Sequence, residues 1–393
     1  MGEKLHSFDL MQPDALADLA CRFVRFPSPQ TERMESEPAV QDFIGSCVEP
    51  MLKEWGLATR RDRMGSLIAE LGPRDAGSSV LLMTYAMTHP ASSMRDPFAG
   101  EIISTAEGRA VRGRGVSEQK GALAAALAAV GQLLQRTDLK HRLVFALSSA
   151  GETGRHDAAR EIFSTLGVPP RLGIVAIGSN GKVALGNKGR IDIEIEIGGT
   201  AAHSSMPWAG VNAIDGARRL LDILQSVRLD GASHPALGRA TLTSTSIESW
   251  PKATHTIQNR VRLVLDRRLL PGEDPDAAFA QIEQLAKSVA APWTIEVRRG
   301  PFMYPCAIAE EGPFLHHVRA GHAARGLPPP ETFYSHGALD AGFLAVQGCE
   351  ASMWGPGRME QFHTDEESLL IDELAAGATA YLGFLEHALA GNP

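Results

Sequence analysis

Four stretches of the chain hold side chains able to do chemistry. They are Thr84-Tyr85-Ala86-Met87-Thr88-His89-Pro90, Gly113 to Gly121 around Glu118, Ser149-Ala150-Gly151-Glu152-Thr153-Gly154, and Gly355-Pro356-Gly357 followed by His363-Thr364-Asp365-Glu366. Glu118 precedes a nearly all-apolar stretch and Glu152 follows one. A carboxylate at the edge of such an element must be paired, hydrogen-bonded or metal-bound, because an unpaired buried charge is costly. With His363 they form an O,O,N donor set suited to one divalent transition metal such as zinc, manganese or cobalt. Taken singly, the same residues have plainer readings: Glu118 as a partner of a helix dipole, and Thr364-x-x-Glu367 as a capping box beside His363.

The elements that must position these loops are legible in the apolar pattern. Residues 13–26 and 38–55 have helical spacing. Apolar runs at 66–71, 79–86, 142–150 and 171–178 have the length of buried strands, and Gly121 to Leu134 reads as a buried helix. Buried strands separated by helices predict an α/β domain with a mostly parallel sheet, whose ligands sit at the carboxyl ends of the strands.

The pattern changes near residue 186. RIDIEIEIGG alternates strictly, as do TLTSTSIES and TIQNRVRLVLDRR. With the helical stretches between them and WTIEVRRG at the end, the order is β-α-β-β-α-β, a two-layer α+β unit. The expected division is residues 1–185 and 300–393 as the main domain, with 186–299 inserted, and a closing helix at about 367–390.

Composition narrows the function. Hydrophobic residues make up 44% and charged residues 21% of 393, which excludes disorder and fibrous repeats. Thirty-eight basic against 46 acidic residues, a net charge of -8 without basic blocks, argue against nucleic acid or an anionic membrane as partner. Cys21, Cys47, Cys306 and Cys349 lie far apart and read as reduced thiols. The N-terminus lacks a signal-peptide core, and Gly121 to Leu134 is too short to span a bilayer. A cytoplasmic, soluble enzyme with a small-molecule substrate is expected.

Over nearly its whole length the chain resembles the co-catalytic zinc family of acetylornithine deacetylase, succinyl-diaminopimelate desuccinylase, carboxypeptidase G and aminoacylase. The matching pieces are Asp96-Pro97-Phe98, the GRG…KG stretch at 113–121, Lys188-Gly189, His203-Ser204-Ser205-Met206-Pro207, Gly210-Val211-Asn212-Ala213, Asp266-Arg267-Arg268, Asp340-Ala341, Gly355-Pro356-Gly357 and His363-Thr364. The resemblance implies a zinc-exopeptidase-like catalytic domain, with 186–299 as a lid and dimerisation domain through which a homodimer or larger homo-oligomer forms. It also implies that His203 reaches a neighbouring subunit's site as an oxyanion stabiliser, that Arg268 binds a substrate carboxylate, and that His255 stands where the family often has a substrate-binding Asn. A cis bond after Glu118 is implied too.

The departures from the family pattern are informative. The family's His-x-Asp is Tyr85 and Met87 here, its Glu-Glu pair is Gly151 and Glu152, and a further carboxylate position is Ser179. Glu118 takes the place of the bridging Asp, and the final His is kept as His363. Two of the three positions for one metal are lost, whereas Glu118, Glu152 and His363 can all serve the other. The resemblance therefore implies one divalent metal (Mn, Zn or Co), labile because three hard donors hold it.

Without the base and the second metal, ordinary peptide cleavage is impaired. A single metal still polarises water and acts as a Lewis acid, which suits an already activated substrate. The function expected is hydrolysis of a C–N bond. The departures resemble those of a divergent aminohydrolase branch of the family, and that resemblance implies as the specific form an aminohydrolase deaminating an activated aromatic amine of the 5-nitroanthranilate type, by nucleophilic aromatic substitution to a hydroxy acid and ammonia. Met87 and Trp354 would flank a flat aromatic carboxylate, while Tyr85, His89 and His336 would replace the lost base. The alternatives are an amidohydrolase, deacylase or peptidase, and a non-catalytic small-molecule-binding protein.

Overall fold

The computed structural model describes residues 9–73, 76–151, 153–227, 229, 233–289 and 291–391. They form two compact units. The first takes the chain up to Gly186, Ala307–Tyr334 and the residues from Phe343 onward; the second takes Asn187–Cys306 and Ser335–Gly342.

The first unit is built on a six-stranded sheet in the order Thr59–Arg61, Leu67–Leu71, Arg142–Ser148, Ser79–Tyr85, Leu172–Ala176, Glu350–Trp354. The last four strands run parallel, and the first two pairings are antiparallel. Ser79–Tyr85 is buried at every position, because a sheet covered by helices on both faces has no wet side. The helix Gly121–Leu133 is buried along almost its entire length, as its all-apolar sequence predicts. Two other helices, Pro313–Ala324 and Ile371–Leu389, touch backbone to backbone: a Cβ at Gly321 would lie 2.4 Å from the Gly383 carbonyl carbon.

Two local expectations change. The helical run at 38–55 is split into Pro38–Asp42 and Glu49–Glu54 by a wide turn at Phe43–Val48. Pro50 explains the break, since it has no N–H to donate to the preceding turn. The closing helix starts at Ile371 because Ser368–Leu370 pairs instead as a strand with Gly108–Arg112.

The second unit is a four-stranded antiparallel sheet in the order Thr241–Trp250, Arg260–Leu269, Gly189–Gly198, Thr294–Met303, with the helices Ala213–Ser226 and Pro275–Lys287. The chain order is β-α-β-β-α-β. Alternate residues Ile191, Ile193, Ile195 and Ile197 are fully buried in one cluster, so the period-2 pattern marks the helix-covered face. This unit extends past residue 299, because Phe302 and Met303 still pair with Ile191 and Arg190. Among the described residues no helix is long and apolar enough to cross a membrane. All four cysteines are free and buried.

Candidate active site

Glu118 sits on a wide turn, Val116–Lys120, that leads into the buried helix. Gly115 starts this turn with φ 82°, and a Cβ there would lie 2.3 Å from Thr88 Cγ2, so only glycine fits. The N–H groups of Gln119 and Lys120 both donate to the Gly115 carbonyl, at 2.9 and 2.7 Å. The implied cis bond between Glu118 and Gln119 is absent: the cis bonds among the described residues are Trp250–Pro251 and Ala291–Pro292. The helical hydrogen bonds of the turn hold Glu118–Gln119 in the ordinary form.

What fixes the turn is Glu367. Its carboxylate accepts N–H groups from Gly115 at 2.8 Å, Ser117 at 3.0 Å and Glu118 at 3.3 Å, and the Arg114 guanidinium at 3.0 Å. Glu367 and Arg114 are both buried. Burial lifts the Glu367 carboxyl above its ordinary range, while these four donors hold its charge. The capping-box reading of Thr364 and Glu367 is therefore overturned. Glu367 spends its carboxylate on a loop some 250 residues away in sequence, and the Thr364 hydroxyl donates to the Gln361 carbonyl.

The Glu118 carboxylate lies 3.2 Å from His363 Nε2, with the Glu118 side chain 10% and the His363 side chain 44% exposed. His363 has φ 63°, a left-handed backbone that costs a non-glycine residue about 1–2 kcal/mol and that clusters at functional sites. Its ring stacks on His89, with centroids 3.8 Å apart and planes at 15°. His89 Nδ1 faces the Pro90 carbonyl at 3.0 Å, and a carbonyl only accepts, so this nitrogen carries the proton.

Thus two of the three expected ligands, Glu118 and His363, meet in the fold. Glu152 lies outside the described residues. Among the described residues no three His, Cys, Asp or Glu side chains form a metal site. The half-shielded carboxylate–imidazole contact is nonetheless a fitting pair of arms for a divalent transition metal, since both donor types bind such ions.

The positions of the departures are filled in a definite way. Tyr85 ends its strand buried, opposite Ser148. Met87 is fully buried in the core, so it packs there rather than lining a substrate surface. A Cβ at Gly151 would lie 2.3 Å from the Met87 carbonyl oxygen and 3.1 Å from Met87 Cβ, which closes the position of the family's base to any side chain. Ser179 is buried and spent on a turn: its hydroxyl donates to the Lys182 carbonyl at 2.6 Å and accepts from Gly355 N–H at 2.9 Å.

Trp354 is also core rather than surface. It is 1% exposed, its indole N–H donates to the Gly181 carbonyl at 3.2 Å, and Tyr381 meets it edge-on at 5.2 Å. Of the two side chains expected to flank a flat substrate, Met87 is thus in the core, and Trp354 lines a cavity whose lining includes neither Glu118 nor His363.

The remaining candidates belong to the second unit. His203 is exposed and its Nδ1 lies 2.8 Å from the Ser205 hydroxyl, and His255 sits with its ring 6.0 Å from that of His203. Arg268 grips Asp266 with both prongs, Nε to Oδ1 at 2.8 Å and Nη2 to Oδ2 at 3.0 Å, so a substrate carboxylate there must compete with Asp266. His336 is exposed.

Sequence reasoning passed over Arg114 and Glu367 as a pair. The available signal was the Arg inside the GRG motif, which needs an anion once buried. Lys120 is a second case. Its ammonium donates to the Phe23 and Phe26 carbonyls at 2.9 and 2.5 Å and lies over the Phe43 ring, and burial lowers its pKa to about 7.

Residues 185–294 match the M20 peptidase dimerisation domain. A succinyl-diaminopimelate desuccinylase from Rhodospirillum centenum is 25% identical, covering 97% of this chain and 99% of its own. An acetylornithine deacetylase from Vibrio vulnificus is 26% identical over 78% of this chain and 80% of its own. The fold is that of the M20 family metallo-carboxypeptidase from Sulfolobus solfataricus, with TM-score 0.76, 16% identity, and 95% and 99% coverage of the two chains. A dinuclear metal binding peptidase of the M20 family from Bacillus subtilis superposes with TM-score 0.67 at 16% identity, over 96% and 99% of the chains. The dimerisation-domain match and the relatives along nearly the full length make the chain similar to the M20 metallopeptidases and deacylases.

Proposed function

We propose that this hydrolase opens a C–N bond in an activated substrate with a single divalent metal. The observation that carries the reading is the Glu118–His363 contact at 3.2 Å, held by Glu367 through the turn it organises. The metal, when bound, supplies Lewis acidity and acidifies water. Glu118 and His363 would hold it, with Glu152 as the third donor. The stacked His89 fixes the plane of the His363 ring and stands beside the pair as a proton carrier. Gly151, closed against Met87, leaves no room for the family's base, and Ser179 is occupied by the backbone. Both facts support one metal and an easier reaction than peptide cleavage.

Two substrate forms share this chemistry. Deamination of an electron-poor aromatic amine, with attack at the ring carbon and departure of ammonia, needs no strong base at the position of Gly151. Deacylation of an N-acyl amino acid is favoured by the names of the desuccinylase and deacetylase relatives. The buried Met87 takes one support from the aromatic form. Metal analysis with product assays decides. Ammonia and a hydroxylated ring establish the aminohydrolase, an amine and a carboxylate establish the deacylase, and two tightly held metals per chain overturn the single-metal reading.

A homodimer through the second unit completes the proposal. Its edge strand Thr241–Trp250 is open to solvent along most of its length, and Trp208, Ile247 and Met206 are 80%, 55% and 47% exposed. An exposed edge strand beside apolar side chains is a template for pairing with a second copy.

A further inference from the structure

Three histidines that take no part in the Glu118–His363 contact gather where the helices Pro313–Ala324 and Ile371–Leu389 meet. The ring centres of His316 and His317 lie 5.6 Å apart, those of His316 and His387 5.6 Å, and those of His317 and His387 4.9 Å. The ring planes cross at 72°, 63° and 62° rather than stacking. Imidazoles around one tetrahedral zinc ion, with nitrogens about 2.0–2.1 Å from it, have centres roughly 5 Å apart. The helices beneath touch backbone to backbone at Gly321 and Gly383, which fixes the points from which the rings project.

His317 and His387 supply two nitrogens that already converge, their Nδ1 atoms lying 2.6 Å apart. Only one of them can carry the hydrogen between them, so the other is a bare acceptor, the form that binds metal. Two nitrogens on a tetrahedral ion stand roughly 3.3 Å apart, so an ion enters when this pair spreads by about 0.7 Å. The rings as placed form no ready three-donor group; that spread and a turn of His316 make one. His317 is 4% exposed, His387 half-buried and His316 exposed, so the cluster is open on the side of the ring that must turn. The adjacent carboxylate, Glu386, is spent on Arg136 and Arg325. Arg171 and His141 also act on His317 with positive charge. The site therefore suits an ion held by strong bonds to nitrogen rather than by charge alone.

We propose that His316, His317 and His387 form a second metal site, for a divalent ion that prefers nitrogen donors: zinc, nickel or copper(II). Coordination by imidazole alone excludes magnesium and calcium, which take oxygen donors. The bound ion ties the two helices together. The site is independent of the reaction proposed above and is unaffected if that reaction is assigned otherwise.

Titration calorimetry of the His363→Ala protein with zinc tests this, because that variant has lost a donor of the Glu118 centre. Zinc is expected to bind at one equivalent per chain and to raise the melting temperature. A mere outer partner of a metal ligand is worth about 10–100-fold in affinity. Adding His387→Gln to this background should therefore weaken zinc binding at least tenfold, and so should His316→Ala, which alters only an exposed side chain. Zinc bound equally tightly without His387 is adventitious and overturns the proposal. So does the absence of zinc binding in the His363→Ala protein, and unchanged affinity in His316→Ala overturns the three-donor site. His387→Gln in the otherwise wild-type chain keeps the metal count of the Glu118 centre separate, so the failure of either reading is seen alone.

Discussion

Glu367 accepts the backbone N–H of Glu118 at 3.3 Å while it pairs with buried Arg114 at 3.0 Å, so one carboxylate organises the turn that presents another. The relationship assigns Glu367 a positioning role at a candidate metal centre. Outer groups of this kind orient the residues that touch the metal and commonly change affinity by 10–100-fold when removed.

Glu367→Gln should therefore weaken metal binding by about one to two orders of magnitude and also lower stability, because it removes the charge opposite Arg114 and turns an amide N–H toward the donors that Glu367 accepts. Glu367→Ala should be more severe. It leaves the Arg114 charge buried without its partner, a loss of about 3–5 kcal/mol. Metal titration of the first variant and denaturant unfolding of the second check these outcomes. An unchanged metal affinity in Glu367→Gln would show that the turn holds its shape without that charge.

Glu118→Ala and His363→Ala should each lower turnover by about two orders of magnitude or more, because each removes a donor from a centre that has few. The chelated wild-type protein should lose activity to the same degree and regain it with one equivalent of metal. Metal content per chain and activity during back-titration give the answer together. Recovery that requires two equivalents would contradict a single centre.

Gly151→Glu should not create a general base. Its Cβ would lie 2.3 Å from the Met87 carbonyl oxygen, and relieving that overlap costs about 1–3 kcal/mol. A lowered melting temperature with no gain in amide hydrolysis is the expected result. A stable variant with enhanced amidase activity would show that the Met87 strand end gives way more easily than its packing implies.

The pair His317 and His387 predicts a pH dependence of stability. Their Nδ1 atoms lie 2.6 Å apart, and burial together with the neighbouring His387 and His316 rings lowers the His317 pKa to about 4. The unfolded ring binds its proton near 6.5, so between about pH 6.5 and 4 the unfolded chain holds more protons than the folded one. Stability is therefore full above pH 6.5 and falls as the pH is lowered toward 4. The melting temperature should drop across that window. The slope should flatten in His387→Gln, which keeps a hydrogen-bond donor and removes one titrating ring.

Much of this protein was written in local pattern. The buried helix Gly121–Leu133, the all-apolar strand Ser79–Tyr85 and the alternating strand Gly189–Gly198 follow from periodicity, because burial on two faces or on one imposes different spacings. Glu118 and His363 were legible as a possible pair from the chemistry of a carboxylate beside an apolar element. What only the tertiary structure decided depends on groups distant in sequence that share one small volume. Local spacing makes Glu367 a cap, but it crosses to residues 114–118, since four donors there outweigh the one backbone N–H that a cap at Thr364 offers. Met87 and Trp354 read as apolar side chains at loop edges, but whether an apolar residue lines a pocket or fills a core is set by the elements packed upon it. Gly151 carries no side chain to announce its role. The backbone of Met87, brought against it by adjacent parallel strands, is what closes that position.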